Sequence, residues 1–281
     1  MQKEKLVSII LPVYNGADSI RNAIDSILEQ TYTNWELIIV NDCSTDNTLE
    51  IISQYQQKDK RIKIICNEKN LKLPLTLNIG FSSAKGEYYT WTSDDNIYKP
   101  EALSIMVKAL ESDKKVSMVY ANYTDIDADG HVLDEIELSE PYELVVGNVI
   151  GACFLYTKKI AQKVGNYDSN LFLAEDYDYW IRIYRYGIIK HISDNLYYYR
   201  RHKKSLSETK KDMINMQTYK ALEKNFLFLY TDAMKHGKQN EFCIQMMNRV
   251  SEEYKTQVEE MLCAINKKYK WYQKIHRKLK N

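Results

Sequence analysis

Apolar residues along the first hundred positions fall into two alternating rhythms. Val7 to Val13 is a nearly unbroken apolar run, the pattern of a strand buried on both faces. Ser19 to Gln30 then sets Ile20, Ala23, Ile24, Ile27 and Leu28 at helical spacing, with Asp18 or Ser19 as cap. The alternation repeats, with strands at Trp35 to Val40, Ile62 to Cys66 and Tyr88 to Thr92, and helices at Asp46 to Tyr55 and Pro74 to Ala84. Units of this length predict an α/β fold: a Rossmann-like, mostly parallel sheet flanked by helices.

The second stretch continues with a helix from Pro100 to Leu110 and a strand from Val116 to Asp125. Asp125 to Gly130 matches the opening of a calcium-binding loop. The twelfth position, where a bidentate Glu is required, is Ile136, so a hairpin turn through Ala128-Asp129-Gly130 is the better reading. A strand at Val149 to Tyr156 and a short helix at Lys158 to Val164, closed by Gly165, follow. Leu173 to Ile183 reads as a loop entering a helix that Gly187 ends, and Ile188 to Ser193 and Leu196 to Arg200 as two short strands. From Glu208 onward the pattern is helical, at Met213 to Tyr230, Asn240 to Ile265 and the last fifteen residues, with no Pro and only Gly237 as a breaker. The chain thus divides into a sheet domain over 1–207, with halves at 1–96 and 97–207, and a helical C-terminal extension over 208–281 that forms a separate module.

The formal net charge of +1 argues against a nucleic-acid partner. Five cysteines without a C-x-x-C spacing support neither a disulfide framework nor a zinc site, and fit a reducing cytosol. The apolar run after Lys3-Glu4-Lys5 is broken by Ser8 and Pro12 and lacks a small-residue cleavage pattern, so it reads as a strand and not a signal peptide. No run reaches the roughly 18 apolar residues of a spanning helix, and the chain reads as cytoplasmic, free or peripheral at a membrane. The segment 266–281 supports the peripheral reading. It carries Lys267, Lys268, Lys270, Lys274, Arg277, Lys278 and Lys280 without an acid, interleaved with Tyr269, Trp271 and Tyr272, which suits an anionic membrane surface. A solvated terminal helix, or a contact within a homo-oligomer, is the plainer alternative.

One stretch concentrates the candidate chemistry. Tyr88 to Thr92 runs straight into Asp94, Asp95 and Asn96. Paired carboxylates at a strand's end suit a hard divalent cation that also grips phosphates, whereas an Asp-rich turn capping the helix begun by Pro100 is the bland reading. Neither G-x-G-x-x-G nor a Walker lysine loop is present, so another device must hold any diphosphate, and Asp94-Asp95 with a metal would do it. Glu175-Asp176 sits in or just before a first helical turn, where acids are ordinary dipole partners. The cluster from Arg200 to Ser207 has a solvated basic loop as its bland reading.

The ordered motifs Val7–Asn15, Ile38–Thr48, Asn70–Gly80, Gly86–Asn96, Ala174–Arg182 and Tyr199–Ser207 together resemble inverting glycosyltransferases of family 2, with the GT-A fold, over the first 207 residues or so. The resemblance implies that Pro12, Tyr14 and Asp42 hold the nucleoside of the donor, Asp42 through the base. It implies that Asp94 contacts the ribose, that Asp95 binds Mn²⁺ or Mg²⁺, and that Asp176 is the general base. His202 then joins the metal or diphosphate site, with Arg200 or Arg201 near the donor. Thr92 stands where many members carry an acid, Asn41 replaces the first of two acids, and Lys72 replaces a frequent glycine, which predicts a differently shaped nucleoside loop. The implied reaction is metal-dependent, inverting transfer of one sugar from a nucleotide diphosphate, expected to be UDP, to a saccharide or lipid-linked acceptor in bacterial surface-polysaccharide synthesis. The competing class is a non-catalytic sugar-nucleotide-binding module on the same fold. A nucleotidyltransferase would want a glycine- and lysine-bearing phosphate loop after the first strand, and that loop is missing.

Overall fold

The computed structural model describes residues 4–203, 205–249 and 263. The expected alternation appears as β1 (Val7–Val13), α1 (Ile20–Leu28), β2 (Trp35–Asn41), α2 (Thr48–Lys58), β3 (Ile62–Cys66), α3 (Lys72–Ser82) and β4 (Tyr88–Trp91). Then come β5 (Ile97–Tyr98), α4 (Ala102–Glu111), β6 (Val116–Ile126), β7 (Val132–Ile136), β8 (Phe154–Thr157), α5 (Lys158–Val164), α6 (Glu175–Tyr186) and β9 (Ile188–Arg200). The helices α7 (Leu206–Thr209), α8 (Lys211–Lys224), α9 (Phe226–Lys235) and α10 (Gln239–Met247) follow. No helix among the described residues is long and apolar enough to cross a membrane.

The strands form one sheet in the order β3-β2-β1-β4-β8-β6-β9-β5, with β7 beside β6. The parallel pairing implied by the alternation holds from β3 to β4. Beyond β4 the sheet is mixed: β8 runs against both β4 and β6, and β9 runs parallel to β6. Two reversals restore direction, so β1, β2, β4, β6 and β9 all end on one edge, the place where α/β sheets hold ligands.

Strand β1 is buried along its whole length and feeds both layers. Val7, Ile9, Leu11 and Val13 join Ile20, Ile24, Leu103 and Met106 on one face, while Ile10 joins Ile38, Val40 and Leu77 on the other. Each such aliphatic contributes roughly 2 kcal/mol by leaving water. Pro12 is tolerated in this central strand for a geometric reason. The Ile10 carbonyl bonds Thr92 N–H on the β4 side, so Pro12, two residues on, also faces that side, past the last β1–β4 pair at Ile10 and Trp91. Its missing N–H falls where no ladder partner is left.

Several boundaries move for physical reasons. The strand expected from Val149 begins only at Phe154, and Gly151 before it takes a φ of 66°. The two strands expected after Gly187 are one, β9, whose register against β6 slips between Ala121 and Asn122. The hairpin after β6 is a turn in which Asp127 Oδ1 accepts from the N–H groups of Asp129 and His131, each at 2.9 Å. The helix expected from Met213 to Tyr230 breaks at Asn225, whose amide donates to the Ala221 carbonyl and to Asp178 Oδ1.

The C-terminal helices stay off the sheet, yet they do not form a core of their own. Ala221, Leu222, Phe226, Leu229, Phe242 and Met246 are buried in the same apolar cluster as Tyr156 and Trp180. Asp178 on α6, fully buried, fastens them: it meets Arg182 at 2.9 Å, Lys224 at 3.0 Å and Asn225 at 3.1 Å. Of the helix expected over 240–265, α10 accounts for the part up to Met247, and the rest, like the basic segment 266–281, lies outside the described residues.

Candidate active site

The loops after β1 and β2 are stitched together at the shared strand edge. Asn15, at a φ of 56° that Asn tolerates, donates from its backbone to Ser44 Oγ at 2.9 Å and accepts from Thr45 N at 2.8 Å. Gly16 N–H donates to Thr48 Oγ1 at 3.0 Å, and Ala17 N–H to Asp46 Oδ2 at 3.1 Å. Tyr14, just before, is left 51% exposed, with an aromatic face open at the edge. Asn41 Oδ1 accepts from Ser44 N at 3.0 Å, so the amide that replaces an acid there serves the turn.

Asp42 is buried and already engaged. Its carboxylate accepts from Leu71 N at 2.8 Å, Lys72 N at 3.0 Å and Asn67 Nδ2 at 2.8 Å, which pins the loop ahead of α3. Lys72 has a φ of 68°, the left-handed backbone that a glycine favours. A lysine is therefore held in a glycine-type turn at this point of the loop.

The acidic stretch after β4 is held from three sides. Thr92 turns inward to the Tyr197 hydroxyl at 2.5 Å and is buried, leaving Asp94 and Asp95 as the acids of this stretch. Asn96 Oδ1 accepts from Arg200 N at 2.8 Å. Gly16 is required beside them, since a Cβ there would lie 2.0 Å from Asp94 Oδ2. Ser19 Oγ donates to the same oxygen at 3.3 Å.

The basic cluster meets these acids. His202 Nε2 lies 2.8 Å from Asp95 Oδ2. Arg200 spends its guanidinium on carbonyls, donating to Asp95 O at 3.0 Å, Asp127 O at 3.1 Å and Ala128 O at 2.9 Å. Arg201 pairs with Asp125 Oδ2 at 2.9 Å. Both arginines, expected near the donor, thus bind protein partners that tie the acidic loop, the end of β9 and the β6–β7 hairpin into one unit.

Burial first, and the charge of Asp95 second, push the Asp94 carboxyl up to about 7. Two neighbouring acids, one with an imidazole on it and the other reluctant to ionise, form an oxygen and nitrogen donor set that fits a divalent cation. At the acidic loop the close contact is the Asp95–His202 pair. Among the described residues, the group of three such side chains whose ligand atoms all lie within 4.8 Å of one another is a different one, Asp127, Asp129 and His131. Asp129 and His131 are exposed there, and the turn's own hydrogen bonds account for Asp127, so it makes no comparable case.

Asp176 opens α6. Its Oδ2 accepts from Asn148 Nδ2 at 2.9 Å and its Oδ1 from Tyr177 N at 2.7 Å. Burial raises its pKa above the ordinary aspartate value in spite of those bonds. Glu175 is pushed up to about 8 by burial first and by the charge of Asp176 second. Leu173, at a φ of 81°, donates its N–H to Glu175 Oε2 at 2.6 Å, so a strained residue turns the chain into the helix. Tyr167 stacks on Tyr179 of α6 with ring centroids 3.9 Å apart and accepts from Trp91 Nε1 at 3.1 Å, which links the first turns of α6 to the end of β4. Asn148, Ser19 and Tyr167 escaped the sequence reading because no motif or spacing ties them to the acids.

The model of the family described as Glycosyl transferase family 2 matches residues 8–165, and the chain belongs to that family. An uncharacterized glycosyltransferase of Rickettsia prowazekii is 36% identical over 197 residues, covering 66% of this chain and 60% of that protein, so this chain spans three fifths of that relative. The putative teichuronic acid biosynthesis glycosyltransferase TuaG of Bacillus subtilis is 28% identical over 209 residues, 73% of this chain and 82% of its own. Among solved structures, S. aureus TarS 1–349 superimposes with a TM-score of 0.65 at 18% identity, covering 86% of this chain and 71% of that one. TarS 1–349 is also solved with UDP-GlcNAc. The mannosyltransferase PcManGT from Pyrobaculum calidifontis, in complex with GDP-Man and Mn²⁺, gives a TM-score of 0.68 at 16% identity over 88% of this chain and 74% of that one. Likenesses at this identity carry the GT-A fold alone.

Proposed function

We propose that the protein moves one sugar from a nucleotide diphosphate, UDP in the first instance, to a hydroxyl of a saccharide or lipid-linked acceptor, with inversion at the anomeric carbon. The observation that carries this reading is the meeting of Asp95 and His202 at 2.8 Å, beside a second acid whose proton affinity is raised. Asp95 and His202 would hold Mn²⁺ or Mg²⁺, which when bound neutralises charge on the departing diphosphate. Tyr14 offers its exposed ring to the base, and Asp94 its carboxylate to the ribose. Asp42 and Pro12 shape the nucleoside wall, Asp42 by pinning the loop ahead of α3 and Pro12 from the end of β1. Arg200 and Arg201 keep the acidic loop and His202 in place. Asp176 accepts the proton of the attacking hydroxyl. Its raised pKa suits that task, and a positioned base of this kind typically contributes about 10²- to 10⁴-fold. One base without a carboxylate nucleophile implies inversion. The nucleotide sugars bound by the two solved relatives support a nucleotide-sugar donor, and the teichuronic acid relative supports a role in surface-polymer assembly.

The test is hydrolysis of a UDP-sugar by the purified chain with Mn²⁺ or Mg²⁺, with and without chelator. Turnover that stops with chelator, returns with metal and collapses in Asp176→Asn at near-normal UDP binding is the expected result. Donor binding with no turnover across a panel of acceptors would instead make the chain a binding module.

A further inference from the structure

A cavity of about 300 Å³ opens against Asp176. One wall carries Asn148 and Asp176, and the other is built from Ile214, Asn215 and Thr218 of α8 and from Arg249 beyond α10. The second wall lies wholly outside residues 8–165, the part of the chain that the family model covers. This side of the site is therefore particular to the C-terminal helices.

Among the described residues of the lining, Arg249 is the one cation and Asp176 the one acid. The guanidinium is only partly exposed, and burial depresses its pKa. Its Nη1 is held by the carbonyl and side-chain oxygens of Gln245, one turn earlier. Among the described residues no carboxylate pairs with it, and Nε and Nη2 have no hydrogen-bond partner. With Nη1 engaged by Gln245, the Nε and Nη2 side of the fork is the donor set that takes a phosphate or carboxylate through two parallel bonds. Asn215 and Thr218 add neutral groups suited to hydroxyls.

We propose that this cavity receives the acceptor, and that the acceptor is anionic: a sugar whose phosphate or carboxylate sits on Arg249 while its free hydroxyl reaches Asp176. The assignment of the occupant as acceptor rests on the transfer reading above. The anion site itself does not, since it follows from Arg249 and the cavity alone.

The test is direct binding to the full chain, measured by ligand-observed NMR with excess UDP present to cover any donor subsite. Glucose 6-phosphate, glucuronate and glucose are the probes. The unaltered chain should bind the two anions about 10- to 100-fold more tightly than glucose, the range of a charge-assisted bidentate contact. Arg249→Gln should bring the three together, and Arg249→Lys should restore part of the preference. A preference for the phosphate alone assigns a phosphorylated acceptor, and one for both anions a general anion site. Equal binding of all three by the unaltered chain, or a preference that survives Arg249→Gln, overturns the proposal. Should UDP-sugar fail to bind or react, the transfer reading falls while this measurement still decides the anion site.

Discussion

Asn148 donates to Asp176 Oδ2 from a position 28 residues away, and the bond favours the charged carboxylate. Removing it raises the proton affinity of Asp176 further. In Asn148→Ala the acid limb of the kcat–pH profile should move to higher pH by about half to one unit, a hydrogen bond to a charged group being worth about 1.5 kcal/mol or more and one unit 1.36 kcal/mol. A profile that merely drops at every pH would mean Asn148 only shapes its loop. Glu175 gives a second measurable effect. Its folded pKa, about 8, lies above the ordinary glutamate value, so its contribution to stability is complete below that ordinary value and is lost as pH rises through about 8. Glu175→Gln keeps an oxygen for Leu173 N–H and has no proton to lose, so denaturant midpoints of the variant should fall less steeply over that span. An unchanged slope would show that Glu175 is ionised in the folded chain. Asp94 and Asp95 stood out in the sequence because they are adjacent and end a strand. Asn148 did not, because nothing along the chain marks a loop amide as the partner of an acid on a later helix.

Helix α6 carries two jobs on one turn. Asp176 faces the cavity, while Asp178, two residues on, is buried against Arg182, Lys224 and Asn225. Asp178 thereby couples the site to the C-terminal helices. Asp178→Ala would leave the Arg182 and Asn225 donors short of a buried acceptor, and should cost about 3 kcal/mol in urea unfolding. A loss under about 1 kcal/mol would mean these helices are held by apolar packing alone. Element identities through β4 were legible because period 2 and period 3.6 are local properties. The break at Asn225 and the union of two short strands into β9 were not, since each depends on a partner from elsewhere, Asp178 for the first and β6 for the second.

For the chain as a whole, the basic run at 266–281 supplies a prediction about location. Each cation near an anionic surface is worth about 1 kcal/mol, lost within a Debye length and weakened by salt. We expect the intact chain to sediment with phosphatidylserine vesicles at low salt and to release as salt rises, and a chain ending at Cys263 to stay in solution. Equal sedimentation of the two would remove this segment from membrane attachment.

The sequence by itself determined the alternating elements of the first half, the paired acids at the end of β4, and the absence of a glycine cradle for phosphate. These follow from spacing and residue chemistry over a few neighbours. Only the tertiary structure decided that His202 meets Asp95 across 107 positions, that Arg200 and Arg201 are engaged by carbonyls and Asp125, and that the C-terminal helices close the cavity at Asp176. The reason is that strand order, unlike periodicity, is set by which faces bury together, and β8, running against both its neighbours, brings the ends of β4 and β9 to one edge.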